Sequence, residues 1–207
     1  FIFVEGGSQD KTYDEILRIQ KKYGHLNIIA MKQSCKGKGN AVREGFEKSN
    51  GDILMILDAD LTVSPEELHN FYNLLKQNKG EFINGSRLVY GMEEDAMRFL
   101  NLLANKFFSA LFTFCLGQKL KDTLCGTKVL FKKDYEKIKM NREYFGNFDP
   151  FGDFDLLFGA SKLGLKIVDF PITYKKRQYG STQIRRFAHG WLLIKMSIFA
   201  LRKIKFI

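Results

Sequence analysis

An apolar run that ends in two carboxylates constrains this chain more than any other stretch. The run Ile53–Leu57 follows the turn-forming pair Gly51-Asp52, which predicts a strand buried on both faces. Asp58 and Asp60 come directly after it. A buried carboxylate needs a partner, and hard cations such as Mg²⁺ or Mn²⁺ bind carboxylate oxygens while leaving positions for substrate phosphates. The pattern predicts a metal site; the alternative is that both aspartates begin a loop and cap the helix that starts at Pro65.

Strands and helices alternate along the first half of the chain. The predicted strands cover residues 1–4, 26–31, 53–57 and 81–84, and the predicted helices cover about 13–23, 40–49 and 65–78. Such alternation indicates an α/β domain with a mostly parallel sheet. Ligands bind these sheets beyond the carboxyl ends of the strands, where two Gly-rich loops and the Asp pair are expected to lie.

The second half of the chain changes in character. Residues 97–116 are apolar nearly all round, which predicts a helix that is either buried or lies against a membrane surface. A loop over 122–128 leads into a strand over 129–132, and a helix over about 152–163 follows. The last predicted strand contains Pro171, which is typical of a sheet edge.

A basic segment ends the chain and defines the expected domain boundary. We expect an α/β domain over residues 1–183 and a basic amphipathic helix over 184–207. In that helix Trp191 and other apolar residues alternate with Arg and Lys, a combination that suits an anionic membrane interface. The alternatives are a terminal helix docked on its own domain and the lead-in to a truncated transmembrane segment.

The charge balance narrows the class of partner. Lys and Arg number 33 and Asp and Glu 23, so the formal net charge is +10, which indicates nucleic acid, anionic lipid or a phosphorylated substrate. Nucleic acid is not expected, because the cations are spread among glycine loops and an apolar helix. Three cysteines without metal-type spacing predict a reducing compartment. We expect neither a signal peptide nor a transmembrane helix in this sequence.

The order and spacing of the loop motifs resemble one family. In the first half the motifs are Glu5-Gly-Gly-Ser8-x-Asp10-x-Thr12, Lys36-Gly37-x-Gly39-Asn40-Ala41, Asp58-x-Asp60 and Gly85-Ser86-Arg87. In the second half they are Asp122-Thr-Leu-Cys-Gly126-Thr-Lys128, Phe151-Gly-Asp153-Phe-Asp155, Pro171 and Arg177-x-x-Gly180-Ser181. Together they resemble the inverting family 2 glycosyltransferases with a GT-A fold, and among these the polyprenyl-phosphate (dolichyl-phosphate) hexosyltransferases. The resemblance covers nearly the whole chain.

The resemblance implies a fold and a reaction. The fold is a Rossmann-like α/β/α sandwich with a mostly parallel central sheet, whose N-terminal strand is apparently missing before Phe1. The reaction is transfer of a hexose, with inversion, from UDP- or GDP-hexose to a polyprenyl phosphate at the cytoplasmic face of a membrane. A saccharide hydroxyl as acceptor is the alternative. A nucleotidyltransferase and a basic nucleic-acid-binding domain are minor alternatives.

The resemblance also implies residues for the donor. Asp58 would lie near the ribose and the metal. Asp60 would bind the Mg²⁺ or Mn²⁺ ion that neutralises charge on the leaving diphosphate. The other residues implied at the nucleoside and the donor are Glu5, Ser8, Asp10, Lys36 and Gly37.

The expected acceptor site depends on the nucleophile. A lipid phosphate is already ionised near neutral pH, since its second pKa is about 6, and therefore needs cations more than a base. A hydroxyl needs a carboxylate base, for which Asp155 is favoured over Asp153 by the resemblance; either aspartate could instead only cap a helix. The residues at motif positions that could clamp an acceptor are Arg87, Lys128, Arg177 and Ser181. The residues expected to act in catalysis are Asp60, Arg87, Asp153 and Asp155.

Overall fold

The computed structural model describes residues 1–87, 99–142, 152, 154–175 and 186–205. Strands and helices alternate in its first half as the sequence predicts. The strands are β1 (Ile2–Glu5), β2 (Ile29–Lys32), β3 (Ile53–Met55), β4 (Phe82–Ser86), β5 (Lys128–Phe131) and β6 (Ile167–Pro171). The helices are α1 (Thr12–Lys22), α2 (Lys38–Lys48), α3 (Leu68–Lys76), α4 (Phe99–Leu116), α5 (Lys132–Met140), α6 (Phe154–Lys162) and α7 (Arg186–Ala200). A 3₁₀ turn at Pro65–Glu67 precedes α3, and a π-helical turn at Leu201–Lys205 follows α7.

The strands form two sheets, and the larger sheet is mixed. β1 and β2 pair in parallel, and the other four strands have the order β3-β5-β4-β6. β4 and β6 are parallel, whereas β5 runs antiparallel to both β3 and β4. The expectation of a mostly parallel sheet therefore does not extend to β5, because this strand lies between two strands of the same direction and enters from their carboxyl ends.

The reversed direction of β5 determines which loops meet. Asn84 near the end of β4 pairs with Lys128 at the start of β5. Beyond the end of β3, the backbone N–H of Ile56 donates to the Lys128 carbonyl at 3.0 Å. The loop before β5 therefore lies at the same sheet edge as the residues that follow β3 and β4.

A cleft of about 640 Å³ lies between β1 and β3. Residues of both strands line it, and apolar residues of α2 contribute to its wall. At the carboxyl ends of the two strands its lining includes Glu5, Ser8, Lys38 and Asp58. The cleft thus gathers ionisable side chains from β1, α2 and β3 around one space.

Aromatic rings join α4, α6 and α7. Phe112 of α4 is completely buried and stacks on Phe158 of α6, with the ring centroids 5.5 Å apart. Phe158 also stacks on Phe199 of α7, at 6.4 Å between centroids. Aromatic pairs in this range stabilise a core beyond their burial alone. The apolar segment of α4 is therefore buried along one side, while large apolar residues on its other side are exposed.

A buried ion pair connects the end of β4 to the loop before β5. Arg87 Nε and Nη2 donate to Asp122 Oδ2 and Oδ1 at 2.6 and 2.8 Å, and the Arg87 backbone N–H donates to Oδ2 at 3.1 Å. Asn84 Nδ2 donates to the Asp122 carbonyl at 2.8 Å and to Asp169 Oδ1 of β6 at 2.7 Å. Burial alone would raise the pKa of the Asp122 carboxyl, but the hydrogen bonds and charge of Arg87 hold that pKa below its ordinary value.

We expect Phe112→Ala to lower the free energy of unfolding by about 3–5 kcal/mol, because it removes a buried ring and leaves a cavity. Phe107→Ala on the same helix is the matched control, since Phe107 is 61% exposed and its loss should change stability by no more than about 0.5 kcal/mol. Urea unfolding followed by circular dichroism measures both. Equal losses in the two variants would contradict the described packing of α4.

We expect Arg87→Met to cost about 3–5 kcal/mol near neutral pH, because Asp122 is left buried and ionised without its partner. In the wild type, ionised Asp122 adds to the free energy of unfolding at pH values above the ordinary carboxyl pKa. This contribution is lost as the pH falls through the lowered pKa of the folded state. In the variant, protonation of Asp122 removes the cost of burying an unpaired carboxylate. The difference in the free energy of unfolding between the two proteins should therefore become smaller in acid.

Urea unfolding near pH 7 and near pH 4 measures this difference. Arg18→Met is the control, because Arg18 pairs with Glu15 on the exposed surface of α1 and its loss should leave the unfolding midpoint unchanged. An Arg87→Met variant as stable as Arg18→Met would contradict the structural role of the buried pair.

Candidate active site

The centre of the candidate site is an ion pair between two loops. Lys38 Nζ lies 2.7 Å from Asp58 Oδ1 and 2.9 Å from Asp58 Oδ2, so the ammonium contacts both carboxylate oxygens. Gly126, in the loop before β5, packs directly against this pair. A Cβ at Gly126 would overlap both Asp58 Oδ2 and Lys38 Nζ. Because Gly126 has no side chain, the side chains of Asp58 and Lys38 can occupy this space.

The start of α2 puts Lys38 at this position. Gly37 precedes the helix with φ of 103°, a backbone conformation that glycine adopts without steric cost. The helix begins at Lys38, and its first turn contains no acidic residue. Gly39 is buried, and a Cβ on Gly152 would overlap its Cα. The motifs that contain Gly39 and Gly152 therefore meet at the start of α2. The positive end of the α2 dipole adds to the positive charge of Lys38 there.

The residues expected at the nucleoside divide into two groups. Glu5 and Ser8 line the cleft, and Glu5 Oε1 accepts a hydrogen bond from the Ser8 backbone N–H, which holds the pKa of Glu5 below its ordinary value. Asp10 Oδ1 accepts from Thr12 Oγ1 and from the Thr12 backbone N–H at 2.5 and 2.9 Å. These bonds lower the pKa of Asp10. Asp10 therefore fixes the start of α1 and does not line the cleft.

Asp60 organises the loop that follows β3. Its Oδ1 accepts from Thr62 Oγ1 and the Thr62 backbone N–H at 2.9 and 3.1 Å. Leu61 adopts a φ of 50°, which is uncommon for a residue with a side chain. The Thr62 carbonyl accepts from the Lys175 backbone N–H at 2.9 Å, so this loop is connected to the segment after β6.

The carboxylates at the site could supply part of the coordination of a divalent ion. Within the residues the structure describes, no group of three or more His, Cys, Asp or Glu side chains could hold a metal. The Asp58 carboxylate already holds one cation, because the ammonium of Lys38 lies 2.7 Å from it. Mg²⁺ is commonly held by one or two carboxylates together with waters and substrate phosphates. The residues therefore fit an ion that takes part of its coordination from a bound diphosphate.

Two residues expected at the acceptor are engaged elsewhere. Arg87 binds Asp122 through both ends of its guanidinium. Lys128 is completely buried and its Nζ donates to the Cys125 carbonyl. That Lys128 clamps an acceptor stays a prediction, and in this structure its ammonium lies inside the protein. Arg177 and Ser181, together with Asp153, lie outside the described residues.

Asp155 is buried beside two arginines. Its Oδ2 accepts from Arg142 Nε at 3.1 Å and from Arg43 Nη1 at 3.4 Å. Burial raises the pKa of Asp155, and the charges of the two arginines oppose that shift. The expected base is thus held between two fixed cations. Arg43 comes from α2, the same helix that carries Lys38.

The sequence did not identify all of these residues. Lys36 is exposed and does not line the cleft, whereas Lys38 does; the position of Lys38 at the start of a helix after Gly37 was a usable indication. No local pattern identifies Arg43 or Arg142, because Arg43 is 112 positions from Asp155.

Comparison with known proteins gives a consistent assignment. Residues 1–139 match the family model described as glycosyl transferase family 2. A dolichol-phosphate mannosyltransferase of Pyrococcus furiosus is 27% identical over 188 residues, which cover 89% of this chain and 50% of that protein. A dolichyl-phosphate β-glucosyltransferase of Trichomonas vaginalis is 28% identical over 185 residues, covering 84% and 54%. The chain spans about half the length of these curated relatives.

Solved structures agree on the fold. Glucosyl-3-phosphoglycerate synthase from Mycobacterium tuberculosis, in complex with Mn²⁺, UDP and phosphoglyceric acid, aligns with a TM-score of 0.63 at 17% identity, covering 99% of this chain and 67% of that one. Its complex with UDP aligns with a TM-score of 0.58 at 18% identity, covering 98% and 68%. The family model covers well over half of the 207 residues. The chain therefore has the expected GT-A fold and belongs to glycosyl transferase family 2.

Proposed function

We propose that this protein transfers a hexose from a nucleoside-diphosphate sugar to a polyprenyl phosphate at a membrane surface. The observation that carries the proposal is the convergence of Lys38, Asp58 and Gly126 at the carboxyl ends of the strands. The dolichyl-phosphate names of two relatives support the acceptor.

Residues at the mouth of the cleft suit a diphosphate donor. Lys38 and the positive end of α2 favour phosphate oxygens there, and Glu5 and Ser8 offer hydrogen bonds further along the lining. Asp58 and Asp60 would hold a Mg²⁺ or Mn²⁺ ion, which supplies Lewis-acid stabilisation of the leaving diphosphate. The Mn²⁺ and UDP in the glucosyl-3-phosphoglycerate synthase complex support this pairing of metal and donor.

The proposed transfer is one displacement at the anomeric carbon. An acceptor phosphate oxygen forms the new bond as the bond to the diphosphate breaks, which inverts the configuration and releases a nucleoside diphosphate. The attacking oxygen is already ionised near pH 7, so no side chain needs to remove a proton. The pairing of Asp155 with Arg43 and Arg142 suits this acceptor, because the carboxylate already accepts two hydrogen bonds.

One observation favours a saccharide hydroxyl as the alternative acceptor. Burial raises the pKa of Asp155, and a raised carboxylate pKa is a property of many general bases. The two acceptors therefore differ in what they require of Asp155. For a hydroxyl the residue removes a proton, whereas for a phosphate it positions two arginines.

An exposed apolar surface supports action at a membrane. On α4, Leu103, Phe107 and Phe114 are 56%, 61% and 54% exposed. On the neighbouring α7, Trp191, Ile194 and Ile198 are 59%, 40% and 45% exposed. These six residues form what we call the apolar face. In the part of the chain that the structure describes, no helix is long and apolar enough to cross a membrane.

The charges beside the apolar face suit an anionic lipid surface. Neither α4 nor the segment from Arg186 to Lys205 contains an acidic residue. Lys106, Lys195 and Arg202 are exposed, and Lys195 Nζ lies 5.7 Å from the ring centroid of Trp191. Helices with apolar residues on one side and Lys or Arg beside them bind in the plane of anionic membranes.

We expect the protein to transfer hexose from UDP-glucose or GDP-mannose to polyprenyl phosphate in vesicles only when Mg²⁺ or Mn²⁺ is present. Asp60→Asn should lower the rate by at least about a hundredfold, because charge stabilisation of the leaving group is lost. Asp155→Asn should lower it by less than about tenfold, whereas loss of a general base costs on the order of 10²–10⁴-fold. Radiolabelled transfer into the lipid fraction measures the rates.

Asp52→Asn is the matched control, because Asp52 is an exposed aspartate just before β3 and its loss should not change the rate. Full activity in EDTA would contradict the proposed metal-dependent donor site. Transfer to a saccharide but not to polyprenyl phosphate, abolished by Asp155→Asn, would establish the alternative acceptor.

We expect Phe107→Glu combined with Trp191→Glu to reduce binding to phosphatidylserine-containing vesicles by more than about tenfold, since each change puts a charge where an apolar ring meets lipid. Flotation with vesicles of mixed phosphatidylserine and phosphatidylcholine measures the bound fraction. Leu17→Glu is the control, because Leu17 is 41% exposed on α1, outside the apolar face. Equal binding by all three proteins would contradict a membrane role for this face.

A further inference from the structure

Lys38 occupies the carboxylate that the proposed donor site assigns to a divalent ion. The ammonium contacts both oxygens of the carboxylate that would bind a divalent ion. A divalent ion at Asp58 and an ammonium at the same oxygens would repel each other strongly at such short range. An ion that takes the positions now held by the ammonium therefore displaces Lys38 from Asp58.

We propose that Lys38 is a cation latch. Its ammonium pairs with the Asp58 carboxylate before the donor binds, and it moves to the donor diphosphate when a divalent ion binds Asp58. The inference rests on the proposed donor site and adds the order in which its charges are exchanged. Lys38 is the first residue of α2, and its side chain is flexible up to the ammonium. It can therefore change partner without movement of the helix that Gly37 and Gly39 position.

The exposure of the pair supports an exchange of partners. The side chains of Lys38 and Asp58 are 33% and 38% exposed, so solvent weakens their attraction. Arg87 and Asp122, by contrast, are 12% and 0% exposed, and a pair buried to that degree is costly to separate. Among these two pairs, only the one at the cleft is suited to separation during each cycle of binding.

The latch predicts that the metal and the donor help each other to bind. A metal ion alone has to displace Lys38 from Asp58 and gains no phosphate ligands in return. With a diphosphate present, the displaced ammonium gains phosphate oxygens, and the ion gains ligands from the same phosphates. By linkage, each ligand then raises the affinity for the other by the same factor.

Lys38→Met tests the latch through two effects of opposite sign. Without nucleotide, Mn²⁺ should bind the variant about three- to tenfold more tightly than wild type, because Asp58 no longer has a competing cation. With Mn²⁺ present, UDP or GDP should bind the variant about tenfold more weakly, because a cation that contacts the diphosphate is lost. Electron paramagnetic resonance of free Mn²⁺ measures the first effect and calorimetric titration measures the second.

Two further variants separate the latch from general electrostatics. Lys21→Met removes the same charge from the surface of α1, where Lys21 is exposed and does not line the cleft; it should change Mn²⁺ affinity by less than about twofold. Lys38→Arg keeps a cation at the position and should bind Mn²⁺ alone as weakly as wild type does. Thermal unfolding of each variant verifies that it is folded.

The outcomes distinguish failure of the latch from failure of the proposed function. If the wild type binds Mn²⁺ with UDP or GDP, and Lys38→Met leaves Mn²⁺ affinity unchanged or lowers it, the latch is wrong and the donor site stands. If neither the wild type nor any variant binds nucleotide with Mn²⁺, the donor site itself is wrong, and the latch with it. Opposite shifts in Lys38→Met that are absent from Lys21→Met would establish the latch.

Discussion

The direction of β5 is the constraint on which the candidate site depends. β5 lies between β3 and β4 and runs opposite to both. Its first residue therefore lies where the other two strands end, and the loop before it packs against the residues after β3. An entirely parallel sheet would put that loop at the other edge. Gly126 could then not lie against Asp58, and the loop would be unavailable to the cleft.

The ion pairs around the site differ in how deeply they are buried, and we expect the buried pairs to be structural and the exposed pair to exchange partners. Separating a buried pair by removing one partner costs about 3–5 kcal/mol, and Asp122 with Arg87 and Asp155 with its two arginines are of this kind. A pair that is one-third exposed is worth only about 0–1 kcal/mol. Lys38 with Asp58 is of this second kind. The first group fixes the shape of the site, and the second can change partners at little cost.

The sequence predicted those parts of the structure that depend on short-range pattern. The apolar run before Asp58, the alternation of strands and helices, and the apolar helix α4 all follow from residues close together in the chain. The direction of β5 could not be read this way, because Lys128–Phe131 would be equally apolar in either direction. The same limit applies to Lys128, because its motif does not indicate that its side chain is buried and donates to the Cys125 carbonyl.

The choice between Lys36 and Lys38 shows where local pattern stops being sufficient. Both lysines flank Gly37, and the composition of the loop does not distinguish them. The distinction comes from the backbone at Gly37, whose φ of 103° starts the helix at the next residue. Arg43 and Asp155 show the same limit at longer range, since their contact joins residues 112 positions apart.

Helix α2 connects the two halves of the proposed reaction. Lys38 and Arg43 are five positions apart, which in an α-helix is a rise of about 7.5 Å and a rotation of about 140°. One side chain therefore contacts Asp58 at the cleft, while the other contacts Asp155 on a different side of the same helix. Gly39 lies between them and packs closely on Gly152. A side chain at Gly152 would overlap the backbone of Gly39, so this close contact keeps the donor end of α2 and the Asp155 cluster at a fixed separation.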